Sequence, residues 1–134
     1  MKEVLRETVR QRAGFRCEYC LLPAKYSILD FEIDHIIPEK HGGLPEQDNL
    51  ALACCYCNRF KGPNLSGIDP LTGAIIRLFN PRRDKWAEHF FWSDSKLGGK
   101  SPIARVTISV LEMNLPGHLR LRTALAAEGV FPYV

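Results

Sequence analysis

The sequence has no apolar run long enough to cross a bilayer. Its first residues, Met1-Lys2-Glu3-Val4-Leu5-Arg6-Glu7, interleave charge with apolar side chains. The uninterrupted apolar stretch of a secretory signal is therefore missing too. Both absences lead to the expectation of a cytoplasmic protein. Internal repeats and low-complexity segments are absent as well, which argues against solenoid and array architectures. A strong charge of either sign is lacking: 18 Lys and Arg stand against 15 Asp and Glu, a net +3. The excess is confined to residues 63–134, with nine basic and six acidic residues, whereas residues 1–62 hold nine of each. A mildly basic surface suits a polyanionic partner, but on charge alone an ordinary solvated surface is the better reading.

No cysteine follows residue 57. The five present, Cys17, Cys20, Cys54, Cys55 and Cys57, fall in two clusters. An odd number in a chain without a secretory signal argues against a disulfide framework. Clustered thiols in a reducing compartment more often bind metal. The chain of 134 residues, 46% hydrophobic and 25% charged, suffices for one compact domain with its own core.

Residues 3–13 have helical periodicity, with Val4, Leu5, Val9 and Ala13 on one face and Gly14 as a stop. Residues 15–20 read as a knuckle-like turn. The alternation Phe31-Glu32-Ile33-Asp34 predicts a strand, Pro38 interrupts it, and His41-Gly42-Gly43 marks a loop. Residues 44–49 are polar and irregular, and Cys54 to Lys61 predicts a turn into a short helix ending near Gly62-Pro63. Beyond it, Asp69-Pro70-Leu71-Thr72-Gly73 before Ala74-Ile75-Ile76 predicts a hairpin. Asp84 is placed to cap a short helix through Phe90, and Gly98-Gly99 reads as a turn. Ser101-Pro102 opens a helix to about Met113, and Pro116 opens a last one closed by Gly129.

Cys17-x-x-Cys20 and Cys54-x-x-Cys57 share one spacing, with 33 residues between the pairs. Two intervening residues let a tight turn aim both sulfurs at one ion. Four thiolates complete a closed tetrahedral zinc shell, a structural site whose binding energy becomes folding energy. Cys55 is read as a bystander, though a shifted register would put it in the shell in place of Cys54.

Between and beside the pairs lie Ile33-Asp34-His35-Ile36-Ile37-Pro38, Gly42-Gly43, Asn49-Leu50 and Cys57-Asn58-Arg59-Phe60-Lys61-Gly62. Together these resemble the His-Asn-His (HNH) endonuclease family in its four-cysteine branch, over roughly residues 15–62. The resemblance implies an α+β fold: a ββα-metal core stapled by a four-cysteine zinc site. We expect that core over residues 1–62. Residues 63–134 are expected as an extension packed on it, with a hairpin and two or three helices, not independent.

The resemblance also implies roles. His35 is the general base on a water. Asp34 and Asn58 offer oxygens to a catalytic magnesium or manganese ion. Asn49 holds the loop that orients His35, and the four cysteines hold structural zinc away from the chemistry. Asn58 stands where the family often has histidine, a substitution that favours a hard, oxygen-ligated ion. Arg59 and Lys61 are candidates for contact with the nucleic-acid backbone; the bland alternative is exposed charge on a short helix. In a regular strand Asp34 and His35 point to opposite faces, so one site for both requires a local twist.

The implied activity is hydrolysis of DNA phosphodiester bonds, leaving 5′-phosphate and 3′-hydroxyl ends. Two other functions stay open at this point. A zinc-stabilised nucleic-acid-binding module needs the cysteines but has no use for Asp34, His35 and Asn58 together. A nuclease acting on RNA needs all of them.

Overall fold

The computed structural model describes residues 1–132. Helix α1 runs Glu3–Arg12, with Glu3 in its first turn and Arg10 and Arg12 in its last, which suits the helix dipole at both ends. It stops where predicted, at Gly14, whose φ of +64° suits glycine. Leu5, Val9 and Ala13 pack on Leu50, Leu52 and Ile33. Val4 does not share that face and is largely exposed. It lies five residues from Val9, a rotation of about 140° around the helix.

After the knuckle, β1 (Glu32–His35) and β2 (Leu50–Ala53) form an antiparallel hairpin with Asp34 opposite Ala51 and His35 opposite Leu50. Alternation gives each face its own neighbour. Ile33, Leu50 and Leu52 turn to α1. Glu32 and Asp34 turn to helix α2 (Cys55–Lys61), where they meet Asn58 and Lys61. The alanines opposite them, Ala51 and Ala53, are fully buried and leave room for α2 to cross closely. This is the ββα arrangement the residues implied.

The extension begins with a hairpin of β3 (Ser66–Ile68) and β4 (Ile75–Arg77). Its turn is organised by Asp69, fully buried, which accepts from the Leu71 amide, the Thr72 hydroxyl and the Arg105 guanidinium. Helix α3 (Trp86–His89) follows, but Asp84 does not cap it. Its carboxylate instead accepts both Arg77 Nη atoms at 2.8 Å and the Asn80 amide at 2.9 Å. A second hairpin, β5 (Phe90–Ser93) with β6 (Lys96–Gly99), occupies the place expected for a glycine turn. The turn lies earlier, at Asp94, with φ +53°. Gly98 is a strand residue because the Phe91 ring covers it: a Cβ there would come within 2.3 Å of that ring. Ser101 caps α4 (Pro102–Val110) by accepting from the Ala104 amide. This helix ends three residues short of Met113. Helix α5 (Pro116–Ala127) closes the chain.

One buried cluster joins the two halves. Cys17, Tyr19, Ala51 and Cys57 share it with Phe79, Phe90, Leu97, Val106 and Met113. No helix among the described residues is long and apolar enough to cross a membrane.

Candidate functional site

Two centres lie along α2, one at its start and one toward its end. The first is built by the knuckle and the start of the helix. Cys17, Cys20, Cys54 and Cys57 are all buried, and their sulfurs lie within 4.8 Å of one another. Backbone amides point at two of the sulfurs: Cys20 N at Cys17 Sγ (3.5 Å) and Cys57 N at Cys54 Sγ (3.4 Å). Ideal zinc–sulfur bonds of about 2.3 Å require tetrahedral S···S edges of about 3.8 Å. Cys20 Sγ and Cys54 Sγ stand 3.8 Å apart. Donation by the Cys57 thiol toward Cys17, Cys20 and Cys54, together with burial, pushes that thiol well above its ordinary range. A dication is what allows four thiolates to share this volume. The donor set therefore fits structural zinc, and Cys54 is its member; Cys55 lies outside the cluster. A mainly apolar cavity of about 340 Å³ opens between these cysteines and α5 and does not include Asp34, His35 or Asn58.

The second centre is the end of the hairpin under α2. His35 closes β1. Its Nε2 is buried and has no hydrogen-bond partner among the described residues, and a Glu39 carboxylate oxygen stands 3.5 Å away. Next to it, Asp34 is 5% exposed. Its Oδ2 accepts from the Tyr19 hydroxyl at 2.6 Å, and Lys61 Nζ lies 3.2 Å from both Oδ1 and Oδ2. Burial raises the Asp34 carboxyl above the usual carboxylate range, against the opposing pull of Lys61 and of the Tyr19 hydrogen bond. Burial, and after it the Asp34 carboxylate, holds the Tyr19 phenol well above its ordinary range, so Tyr19 acts as a donor.

Lys61 departs from expectation. It is 1% exposed and so does not reach outward to a phosphate. Its ammonium donates to Asp34 and to the carbonyls of His35 and Ile36, both at 3.0 Å. A lysine on the last turn of α2 thus pins the strand end that carries His35. Arg59, by contrast, is exposed on α2.

Asn49 clamps the loop between the strands. Its Oδ1 accepts from the Ile37 amide, and its Nδ2 donates to the carbonyls of Ile37 and Leu44. The two loop glycines serve different needs. Gly42 sits at φ +86°, which disfavours any side chain. At Gly43 a Cβ would lie 1.6 Å from the Ile37 carbonyl oxygen, so the loop folds back too closely for anything larger.

Asn58 and Asp34 are both expected to hold the catalytic ion, and each is held in turn by another side chain. Asn58 Nδ2 donates to Glu32 Oε2 at 2.5 Å, which leaves the amide oxygen for another partner. Each carboxylate oxygen of Asp34 has two lone pairs. Tyr19 occupies Oδ2 and Lys61 spans both oxygens, so the remaining ligand capacity is on Oδ1. The oxygen donors thus suit a hard divalent ion. The structure does not bond Asp34 to Asn58 directly.

Glu32, Tyr19 and the buried role of Lys61 were missed by sequence reasoning. Glu32 had a signal: it alternates with Asp34 on one strand face. Tyr19 had none beyond its place inside a cysteine pair. Outside the site, two arginines are committed to the fold, Arg82 to Glu18 and Arg77 to Asp84. His89 bonds Ser101 and sets its ring against Phe79.

Residues 17–64 match the family model of the HNH endonucleases. The match runs from the first cysteine of the knuckle through α2 and takes in Asp34, His35, Asn49 and Asn58. Over this segment the chain is similar to the HNH endonucleases, and its four cysteines, placed to bind a metal ion, match the zinc-binding branch. No curated protein and no solved structure matches the chain at a significant level.

Proposed function

We propose that this protein is a metal-dependent endonuclease that hydrolyses phosphodiester bonds of DNA, with His35 as general base. The observation that supports this most is the state of the His35 ring. Nε2 is buried and without a hydrogen-bond partner among the described residues, while the His35 backbone is tied to the Lys61 ammonium. A satisfied core histidine would spend that nitrogen on a protein acceptor or donor. A neutral imidazole can instead take a proton from water near pH 7.

In this reading Nε2 accepts the proton as the water oxygen bonds to phosphorus. The bond from phosphorus to the 3′ oxygen breaks, leaving a 5′-phosphate and a 3′ oxygen that is protonated from solvent. Glu39, 3.5 Å from Nε2, stabilises the imidazolium so formed. Asn49 and Gly43 keep the loop closed behind the ring. Asp34 and Asn58 would hold magnesium or manganese, which supplies positive charge to the scissile phosphate and the departing oxygen. Arg59, exposed beside Asn58, contacts the backbone phosphates of the substrate.

The test is cleavage of supercoiled plasmid and of a structured RNA, with and without magnesium or manganese. His35→Ala, matched for zinc content, serves as control. We expect metal-dependent plasmid cleavage and a loss of about 10²- to 10⁴-fold in the control, the usual contribution of a general base. Equal cleavage by both proteins would sink the assignment of His35. Binding of plasmid without cleavage would favour a zinc-stabilised binding module. Cleavage of RNA alone would move the substrate class.

A further inference from the structure

We infer that Tyr19, carried between the two cysteines of the first knuckle, is a positioning residue that fixes Asp34 for the catalytic ion. The inference rests on the metal-dependent reading above. Tyr19 is fully buried, and its hydroxyl reaches Asp34 Oδ2 at 2.6 Å. Lys61 Nζ spans both oxygens at 3.2 Å, so two side chains restrain the carboxylate. The lone pairs left to it point in a set direction before any ion arrives.

The knuckle that carries Tyr19 is itself restrained. Its two cysteines belong to the sulfur cluster. Glu18 joins it to β2 through its amide on the Leu52 carbonyl and its carboxylate on the Leu52 amide, both 2.8 Å. The Tyr19 carbonyl accepts from Trp86 Nε1 at 2.8 Å, and its ring meets Phe79 edge-on. The zinc staple would therefore do more than tie the knuckle to α2. It would set the position of a hydroxyl that orients a catalytic ligand in the second centre.

The plain alternative is that a buried tyrosine and a buried carboxylate simply satisfy each other. That alternative predicts a stability loss when the hydroxyl is removed and no change in affinity for the ion. Zinc-loaded wild type, Tyr19→Phe and Asp34→Ala would be titrated with manganese, following the free-ion signal by electron paramagnetic resonance. Wild type should bind one ion, and Asp34→Ala should lose it. Tyr19→Phe should bind about ten- to a hundredfold more weakly, the usual effect of losing a partner that orients a ligand, with zinc content and near-ultraviolet circular dichroism unchanged. Equal affinity in Tyr19→Phe and wild type overturns the inference and leaves the metal reading intact. No binding by wild type, or undiminished binding by Asp34→Ala, overturns both. Should Tyr19→Phe fail to fold, the Tyr19 ¹³Cζ resonance of wild type is followed during magnesium titration. A shift at saturation supports the inference, and an unmoved resonance overturns it.

Discussion

The stretch from the knuckle to α2 and the extension after residue 65 are stabilised by different means. The first has small or polar residues where a core would normally have large apolar ones: Ala51, Ala53, four cysteines, Asp34 and Lys61 are all buried there. Its connections are specific: a cluster of four sulfurs, Asn49 to loop carbonyls, Lys61 to strand carbonyls. The extension has the bulk. Phe79, Phe90, Leu97, Leu111 and Met113 are buried in it, and Trp86 stacks on Phe90 with Trp92 beside it. A region that must present polar ligands cannot hide them in hydrocarbon. It gains order from a sulfur cluster fit for an ion and from paired hydrogen bonds, and it leans on a neighbour whose core is apolar.

The largest effect should come from removing the metal. Structural zinc in small domains contributes on the order of 10–16 kcal/mol of apparent binding energy at pH 7. With a strong chelator we expect residues 15–62 to lose hydrogen-exchange protection while α4 and the β5–β6 hairpin keep most of theirs. Exchange read by mass spectrometry resolves the two. Equal loss everywhere would mean that the shared cluster, and not the ion, sets stability. Full protection throughout would remove zinc from the account.

This comparison also explains what could be read in the sequence. Contacts that depend on spacing were legible: the two Cys-x-x-Cys pairs converge on one sulfur cluster. So were the starts of α4 and α5 and the stop of α5, which are local; Ser101, Pro102, Pro116 and Gly129 mark them. Packing choices were not legible. Gly98 looked like a turn because nothing in the sequence shows that the Phe91 ring lies over it. Lys61 looked like a surface charge because its burial depends on Asp34 and two carbonyls across 25–27 residues of chain. Asp84 looked like a cap, but Arg77 from the preceding hairpin claims its carboxylate.

A second prediction concerns the buried ion pair in the first region. Breaking one partner leaves an uncompensated charge, at about 3–5 kcal/mol. Lys61→Met should lose that much in denaturant unfolding of zinc-loaded protein without added magnesium. The double variant Asp34→Asn/Lys61→Met should recover a large part of it. If Lys61→Met costs under about 1 kcal/mol, the pair behaves like an exposed one and the polar core is softer than its burial implies.

Acid should act on the extension through a different group. Arg105, with help from the Leu71 amide and the Thr72 hydroxyl, holds the Asp69 carboxyl well below the usual carboxylate range. The unfolded chain then binds more protons than the folded one below the free carboxylate value of about 3.9. The stabilisation is present above that pH and is lost as pH falls further toward the depressed folded value. Arg77 lowers Asp84 in the same sense. Thermal unfolding followed from pH 5 to pH 2 should show a decline that Asp69→Asn makes shallower. A parallel decline in both proteins would assign the acid sensitivity elsewhere, with protonation of the zinc thiolates the first suspect.

The smallest effect is expected at Cys55, and it sharpens the division between spacing and packing. Cys54 and Cys55 are chemically identical neighbours, and spacing alone allowed either one into the shell. The structure separates them: Cys54 Sγ accepts the Cys57 amide and lies 3.8 Å from Cys20 Sγ, while Cys55 opens α2, half-buried and outside the cluster. Cys55→Ser should therefore retain one zinc per chain and change stability by no more than about 0.5 kcal/mol, as substitutions away from structural features do. Cys54→Ser should lose the zinc and with it the order of the first region. Zinc content by mass spectrometry under native conditions reads both. If Cys55→Ser loses zinc and Cys54→Ser keeps it, the shell is built in the other register. The knuckle would then be turned by one residue, and the bond from Tyr19 to Asp34 would need another geometry.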